Sequence, residues 1–305
     1  MRDERWIGAP ATTARIAERL GRVLAPPARA YEPWIVENHV VGWIIPERVR
    51  RLCAWRELFR RTSRGVELSA ELDTAASRTS ALAGVARTLA QEGELTRWRD
   101  ERYGVSPCAG APALLQLERA AARYFGIHTF AAHANGLVGD DGRWRMWLAR
   151  RSPTKPIDPG LLDNLVGGGI AADSDATATL VKEAFEEAGI PPELARCARS
   201  VGHVDISRDQ PDGLQQETIH VYDLWLPADF TPQNQDGEAT EHRLCEPDAV
   251  LSILETNDVT ADASLVTVDF LLRHRAIAVD DPSYESLSAL RHPVRTAPSP
   301  PLQPV

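Results

Sequence analysis

The sequence predicts an α/β chain in which a smaller α+β segment precedes a domain of strands and helices. Three observations carry this. Two strand-like runs, 126–138 and 144–149, flank the turn Gly139-Asp140-Asp141-Gly142. A glycine-rich stretch at Gly167-Gly168-Gly169 leads into a helical pattern ending in carboxylates and Gly189. Before about residue 120 the chain instead alternates polar and small apolar residues and is rich in Arg and Glu.

Taken in order, residues 10–25 carry an apolar stripe at Ala11, Ala14, Ile16, Ala17, Leu20, Val23 and Leu24, which predicts a helix. Residues 35–45 are rich in Val, Ile and Trp and stop at Pro46, as a strand or hairpin would. A helix is expected over 47–59, one or two exposed helices over 60–104, a loop at 106–112 and a further helix over 114–124. After the strand pair, a long loop is expected to hold Arg150, Arg151, Ser152, Lys155 and Pro159-Gly160. The run 220–226 alternates like a strand. Another strand-like stretch opens at Asp236-Gly237-Glu238, then short helices are expected at 247–254 and, last, 263–274. The tail from 293 is Pro-rich and reads as mobile. The expected domains are 1–120, 121–292 and the tail 293–305.

The chain has 305 residues and a net charge of −9. That charge argues against non-specific nucleic-acid binding, which neutralises phosphates with Lys and Arg. No apolar run approaches the roughly 20 residues of a membrane span, and the start lacks a signal-peptide core, so a cytoplasmic protein is expected. Cys53, Cys108, Cys197 and Cys245 are scattered without a CxxC, which predicts buried free thiols. His128, His133, His203 and His220 show no metal-ligand spacing. Trp34 and Trp43 read as core residues.

Residues 168–190 hold the chemistry. Glu183, Glu186 and Glu187 stand at i, i+3 and i+4 and share one helical face. Like charges at that spacing destabilise an isolated helix. A divalent cation removes the repulsion, and Mg²⁺ favours carboxylates, water and substrate phosphate as ligands. The stretch therefore predicts a metal-dependent site for a phosphorylated ligand.

This segment resembles the Nudix box: Gly, five residues, Glu, seven residues, Arg-Glu-aliphatic-any-Glu-Glu-any-Gly-aliphatic. Gly168, Glu183, Ala184, Glu186, Glu187, Gly189 and Ile190 fall in register. Ser174 stands where the pattern has its first Glu, and Lys182 where it has Arg. The change to Lys keeps the charge and loses the planar two-pronged donor. The order of elements is similar to the Nudix α/β/α sandwich, a mixed sheet between helices. Flanking stretches (Arg150-Arg151-Ser152, Lys155, Leu162-Asp163-Asn164, Tyr222-Asp223-Leu224, Asp236-Gly237-Glu238 and 269–274) resemble a thiamin-pyrophosphokinase-related Nudix subgroup. That subgroup has an N-terminal domain of unknown function, echoed here by Trp34, Val41-Gly42-Trp43 and Pro46.

The resemblance implies a hydrolase of diphosphate bonds using Mg²⁺, with Mn²⁺ as alternate ion. Glu183, Glu186, Glu187 and Glu238 are the expected metal ligands, and Glu187 and Glu183 the expected catalytic pair. Glu241 lies near Glu238 on the same expected strand. Arg150, Arg151 and Lys155 are expected to hold a diphosphate by charge-assisted bonds, with Asn164 and Gly168 beside it. The subgroup implies thiamin diphosphate or its damaged analogues as the small-molecule substrate. A nucleoside diphosphate derivative is the second reading, and a Nudix-fold binding module with weakened catalysis the third. A homodimer is left open.

Overall fold

The computed structural model describes residues 6–108, 110–140 and 142–293. The Pro-rich segment that the sequence marks as mobile lies, from 294 on, outside the described residues. The first elements are α1 (Pro10–Val23), β1 (Glu32–Val36), β2 (His39–Ile44), α2 (Pro46–Leu52), β3 (Phe59–Thr62), β4 (Gly65–Leu68), α3 (Ala75–Gln91), β5 (Arg102–Val105), β6 (Leu115–Glu118) and α4 (Ala122–Phe125).

The predicted hairpin forms around Glu37 and Asn38, both at positive φ (48° and 66°). Such turns match the twist of the flanking strands. Pro46 then starts α2, where its missing N–H costs nothing. The helix expected over 47–59 ends at Leu52, and β3 and β4 follow as a second hairpin. Phe59, Val66 and Leu68 supply its buried face, while Arg60 and Arg61 point outward to Glu67 and Glu32. Those outward arginines hid the alternation. Residues 60–104 thus hold one helix, α3, capped by Thr74 and Ser77. The helix expected over 114–124 is likewise mostly strand: Leu115 and Leu117 alternate into the core before a short turn and α4. These elements close on Trp34, Phe125, Leu82 and Leu89.

Helix α1 does not join that core, although the sequence placed it in a domain spanning 1–120. Its buried Ile16 and Leu20 pack with Leu137, Trp144, Leu251 and Phe270. Its Arg19, 4% exposed, donates to the carbonyls of Leu254 and Val259 and to Ser264 Oγ. A buried guanidinium satisfied this fully ties the helix to the C-terminal half.

That half comprises β7 (His128–Gly139), β8 (Trp144–Arg151), β9 (Leu162–Asn164), β10 (Val166–Gly169), α5 (Ala176–Ala188), α6 (Pro192–Ala195), β11 (Arg199–Gln210), β12 (Gly213–Trp225), β13 (Ala239–Cys245), α7 (Pro247–Leu254), α8 (Ala261–Arg273) and α9 (Tyr284–Leu290). Arg150 and Arg151 therefore end a strand rather than start a loop, and α9 follows the helix expected to be last. The sheet runs β11-β12-β7-β8-β13, with β10 against β7 and β9 against β8. It is mixed, since β7 and β12 pair in parallel and the others antiparallel. Along β7, Ala132, Ala134 and Val138 face the core of α5, while Ala131 and Leu137 face the clusters holding α8. This period of two puts helices on both faces and makes the α/β/α sandwich. Among the described residues no helix is long and apolar enough to cross a membrane.

Candidate active site

Strand β10 lies against β7 and leads through a short loop into α5. Each of its three glycines admits a close neighbour. A Cβ on Gly167 would sit 2.9 Å from the His133 ring, one on Gly168 2.5 Å from Glu183 Cγ, and one on Gly169 would overlap the Tyr103 hydroxyl. Helix α5 starts at Asp175, whose carboxylate accepts from Ala178 N–H at 2.8 Å. It ends at Gly189, in the left-handed region at φ 63°. Leu180, Ala184 and Ala188 bury one side of it. Glu183 and Glu187 are thereby held against the glycine strand.

Glu187 is the most buried of the four expected metal ligands. It is 8% exposed, and its Oε2 accepts from Gly167 N–H at 2.9 Å. Burial pushes its pKa up to about 8 against the pull of Lys155 and the Gly167 N–H. Burial also raises Glu183, although Lys182 opposes it. Lys182 spans Glu183 Oε1 at 3.0 Å and Glu186 Oε2 at 2.7 Å. Lys155 reaches Glu187 Oε1 at 3.7 Å and pairs closely with Glu238. Burial would raise the Glu238 carboxyl, but the bond from Lys155 holds it below its ordinary value.

Glu183, Glu186, Glu238, Arg151, Lys155 and Gly168 all line one cavity of about 410 Å³, with buried Glu187 bonded to the Gly167 that lines it. Hard oxygen donors lining one cavity, some kept from easy ionisation by burial, are the donor type a divalent cation takes.

Two expected site residues are elsewhere. Arg150 makes paired bonds to Asp258 at 2.9 and 2.8 Å and donates to the Gly160 carbonyl; it does not line the cavity. Strand period two turns Arg150 away and Arg151 inward. We expect Arg150→Ala to leave KM within about twofold of wild type and to cost less than about 1 kcal/mol, as for other exposed pairs. A KM rise in steady-state kinetics, matching that of an Arg151 variant, would refute this placement. Asn164 is 2% exposed and is bonded to His133 at 2.9 Å and to Asn135. It supports the glycine strand from behind and does not line the cavity. Asn135 in turn bonds Asp223. Burial alone would raise Asp223, but bonds from His274 and Arg273 pull it down to about 2. Glu241 pairs with Arg150 and Arg243 and is likewise absent from the lining.

Ser174 is exposed, and its hydroxyl is 3.0 Å from that of Thr179. Its acidic neighbours do not replace the missing Glu, since Asp175 caps the helix and Asp173 accepts from Gln116. On α5, Thr179, Lys182 and Glu183 share a face. A carboxylate at 174 would draw Lys182 from Glu183 and Glu186. We expect Ser174→Glu to lower the Mg²⁺ concentration for half-maximal activity by ~10-fold, the scale of supporting interactions around metals. A Mg²⁺ titration showing an equal or greater requirement would overturn that role for position 174.

The sequence did not reveal the residues that reach the cavity from the N-terminal half: Arg99, Glu101, Tyr103, Arg119 and Arg123. Arg99 bonds Glu238 at 3.4 Å, and Ala172 N–H donates to the Arg102 carbonyl at 2.8 Å. No local pattern marks them, because docking of the two halves brings them in. Nor did spacing reveal that possible ligand atoms of His203, Asp205 and His292 lie within 4.8 Å of one another, away from this cavity.

The fold and the site are those of a hydrolase built on a Nudix sandwich. A NUDIX domain model matches residues 128–267, and a domain of unknown function, DUF4743, matches 17–129. The chain is 38% identical over 258 residues to Nudix hydrolase 24, chloroplastic, of Arabidopsis thaliana, covering 84% of this chain and 71% of that one. It is 35% identical over 283 residues to Nudix hydrolase 20, chloroplastic, of the same plant, covering 90% and 74%. Among solved structures, DR0079 of Deinococcus radiodurans is 21% identical, covers 55% of this chain and 98% of its own, and superposes with a TM-score of 0.43. This chain belongs to the Nudix hydrolase family.

Proposed function

We propose that this protein hydrolyses a small organic diphosphate with a divalent cation, Mg²⁺ first and Mn²⁺ second. Glu183, Glu186, Glu187 and Glu238 would hold the cation, which supplies charge neutralisation at the diphosphate oxygens and activation of water. Arg151 and Lys155 would grip the diphosphate. Arg151 is fixed for this by Asp163 at 2.7 Å and by the Ile157 carbonyl. Glu187, oriented by the Gly167 N–H, would take the proton of the attacking water. The observation that carries the reading is that Glu183, Glu186 and Glu238 line one cavity with Arg151 and Lys155, and that Glu187 is bonded to the Gly167 beside them.

Thiamin diphosphate or a damaged analogue is the first substrate candidate, supported by the flanking residues that resemble the thiamin-related subgroup. A nucleoside diphosphate derivative is the second. The test is phosphate release from a panel of both kinds with and without Mg²⁺. Release that requires the ion supports the reading; no release from any member, with the folded protein binding them, would make the chain a binding module instead.

A further inference from the structure

A second group of metal-type donors stands apart from the carboxylates of α5. His203 and Asp205 lie two residues apart on β11 and so project from one side of it, while Val204 between them is buried on the other, in the cluster that holds Leu265 and Val266. The third member, His292, follows α9 and is 87 positions from Asp205 in the chain. One nitrogen of each imidazole and one oxygen of Asp205 all lie within 4.8 Å of one another. None of the three lines the cavity beside α5.

The separations suit a small transition-metal ion. His292 Nδ1 is 3.4 Å and His203 Nε2 3.8 Å from Asp205 Oδ2. Ligand atoms about 2.0 Å from a tetrahedral zinc stand about 3.3 Å apart, so rotation of two half-exposed imidazoles closes the set. The surroundings hold the donors in place. Thr218 Oγ1 donates to Asp205 Oδ1, and Oδ2 is the oxygen that meets both histidines. Supporting bonds of this kind orient ligating carboxylates. Asp205 N–H donates to the Arg291 carbonyl at 2.8 Å, which lays His292 beside β11. The Arg291 side chain is itself tied to Asp269 at 2.8 Å and to Ser288 at 3.0 Å, and Pro293 disfavours helical backbone at His292. Two imidazoles with one carboxylate suit zinc or a neighbouring transition metal, whereas Mg²⁺ takes oxygen ligands.

We propose that His203, Asp205 and His292 form a transition-metal site, selective for Zn²⁺ over Mg²⁺, that clips the segment after α9 to the edge strand β11. Three protein donors leave a fourth position for water. The site stands whether or not the chain hydrolyses diphosphates. Zn²⁺ binding by the full chain is to be measured by competition with a chromophoric chelator, in excess Mg²⁺ to compete at the α5 carboxylates. Wild type is expected to hold a Zn²⁺ that His203→Ala and His292→Ala each bind at least ~100-fold more weakly, the upper scale for residues that support a metal. The double variant Glu183→Gln, Glu186→Gln should keep that ion. Zn²⁺ should also raise the Tm of wild type more than that of either histidine variant, because an ion that binds the folded chain alone stabilises it. Both histidine side chains are about half exposed, at 52% and 49%, and circular dichroism checks that their variants fold. Equal Zn²⁺ binding by wild type and either histidine variant, displacement of the ion by Mg²⁺, or its loss in the glutamate variant would overturn the site and leave Asp205 as the shared counter-ion of two histidines.

Discussion

Glu187→Gln is expected to lower kcat by at least ~100-fold, the scale for losing a general base, while the protein stays folded. Gln keeps the length of the side chain and an oxygen that can accept from the Gly167 N–H, now a 2.9 Å bond. It removes the proton-accepting charge. Stability should not fall with it. The Glu187 carboxyl is raised by burial to about 8, so its ionised form is less favourable in the folded protein than in the unfolded chain. A carboxyl raised on folding contributes stability that is present below its unfolded value and is lost as pH rises through about 8. Glutamine carries no such pH-dependent loss, so in chelator the variant should melt no lower than wild type at neutral pH and above. Thermal melts and steady-state kinetics on one preparation test both halves. Turnover near wild type in a folded variant would remove Glu187 from the chemistry. A collapsed Tm would show that its charge is needed by Lys155 instead.

The part of this site written in one short stretch is legible in the sequence. Glycines, helix and carboxylates lie within 168–190, so helical period alone places Glu183, Glu186 and Glu187 on one face. Lys155 and Glu238 were legible as to type and neighbourhood. Arg150 and Arg151 were not separable, because a loop gives no rule for which side chain turns inward, whereas the strand that forms does. Asn164 looked like a ligand contact since it adjoins the glycines in sequence; burial behind them follows only from pairing of β9 with β8. Strand β11 escaped notice because most of its side chains are polar or partly exposed. Glu101 and Arg119 could not be placed at all, since they meet the cavity through the packing of two halves.

Lys155→Met is expected to tighten divalent-cation binding and, at the same time, to raise KM by ~10-fold. The side chain of Lys155 is 10% exposed, reaches Glu187 Oε1 at 3.7 Å and pairs with Glu238. Without a metal, this ammonium is the counter-ion of carboxylates that a metal would use. An incoming cation must share those oxygens with it or displace it, so Lys155 works against metal binding until it has another partner. In the proposed reading the substrate diphosphate would be that partner, since Lys155 would be free to hold a phosphate oxygen if a metal were held by the carboxylates. Methionine is an unbranched, flexible side chain of similar length without the charge. Removing the ammonium leaves Glu187 and Glu238 less well compensated, which strengthens their field for a divalent ion. The opposing effect is that both carboxyls protonate more readily, so the measurement belongs above pH 8, where protons compete least. Free Mn²⁺ measured by electron paramagnetic resonance, without substrate, reads the first expectation. Steady-state kinetics at saturating Mg²⁺ reads the second, because a contact made alike in ground and transition states acts on KM more than on kcat. Weaker Mn²⁺ binding would show that Lys155 supports the metal site, and an unchanged KM would show that the diphosphate is held without it.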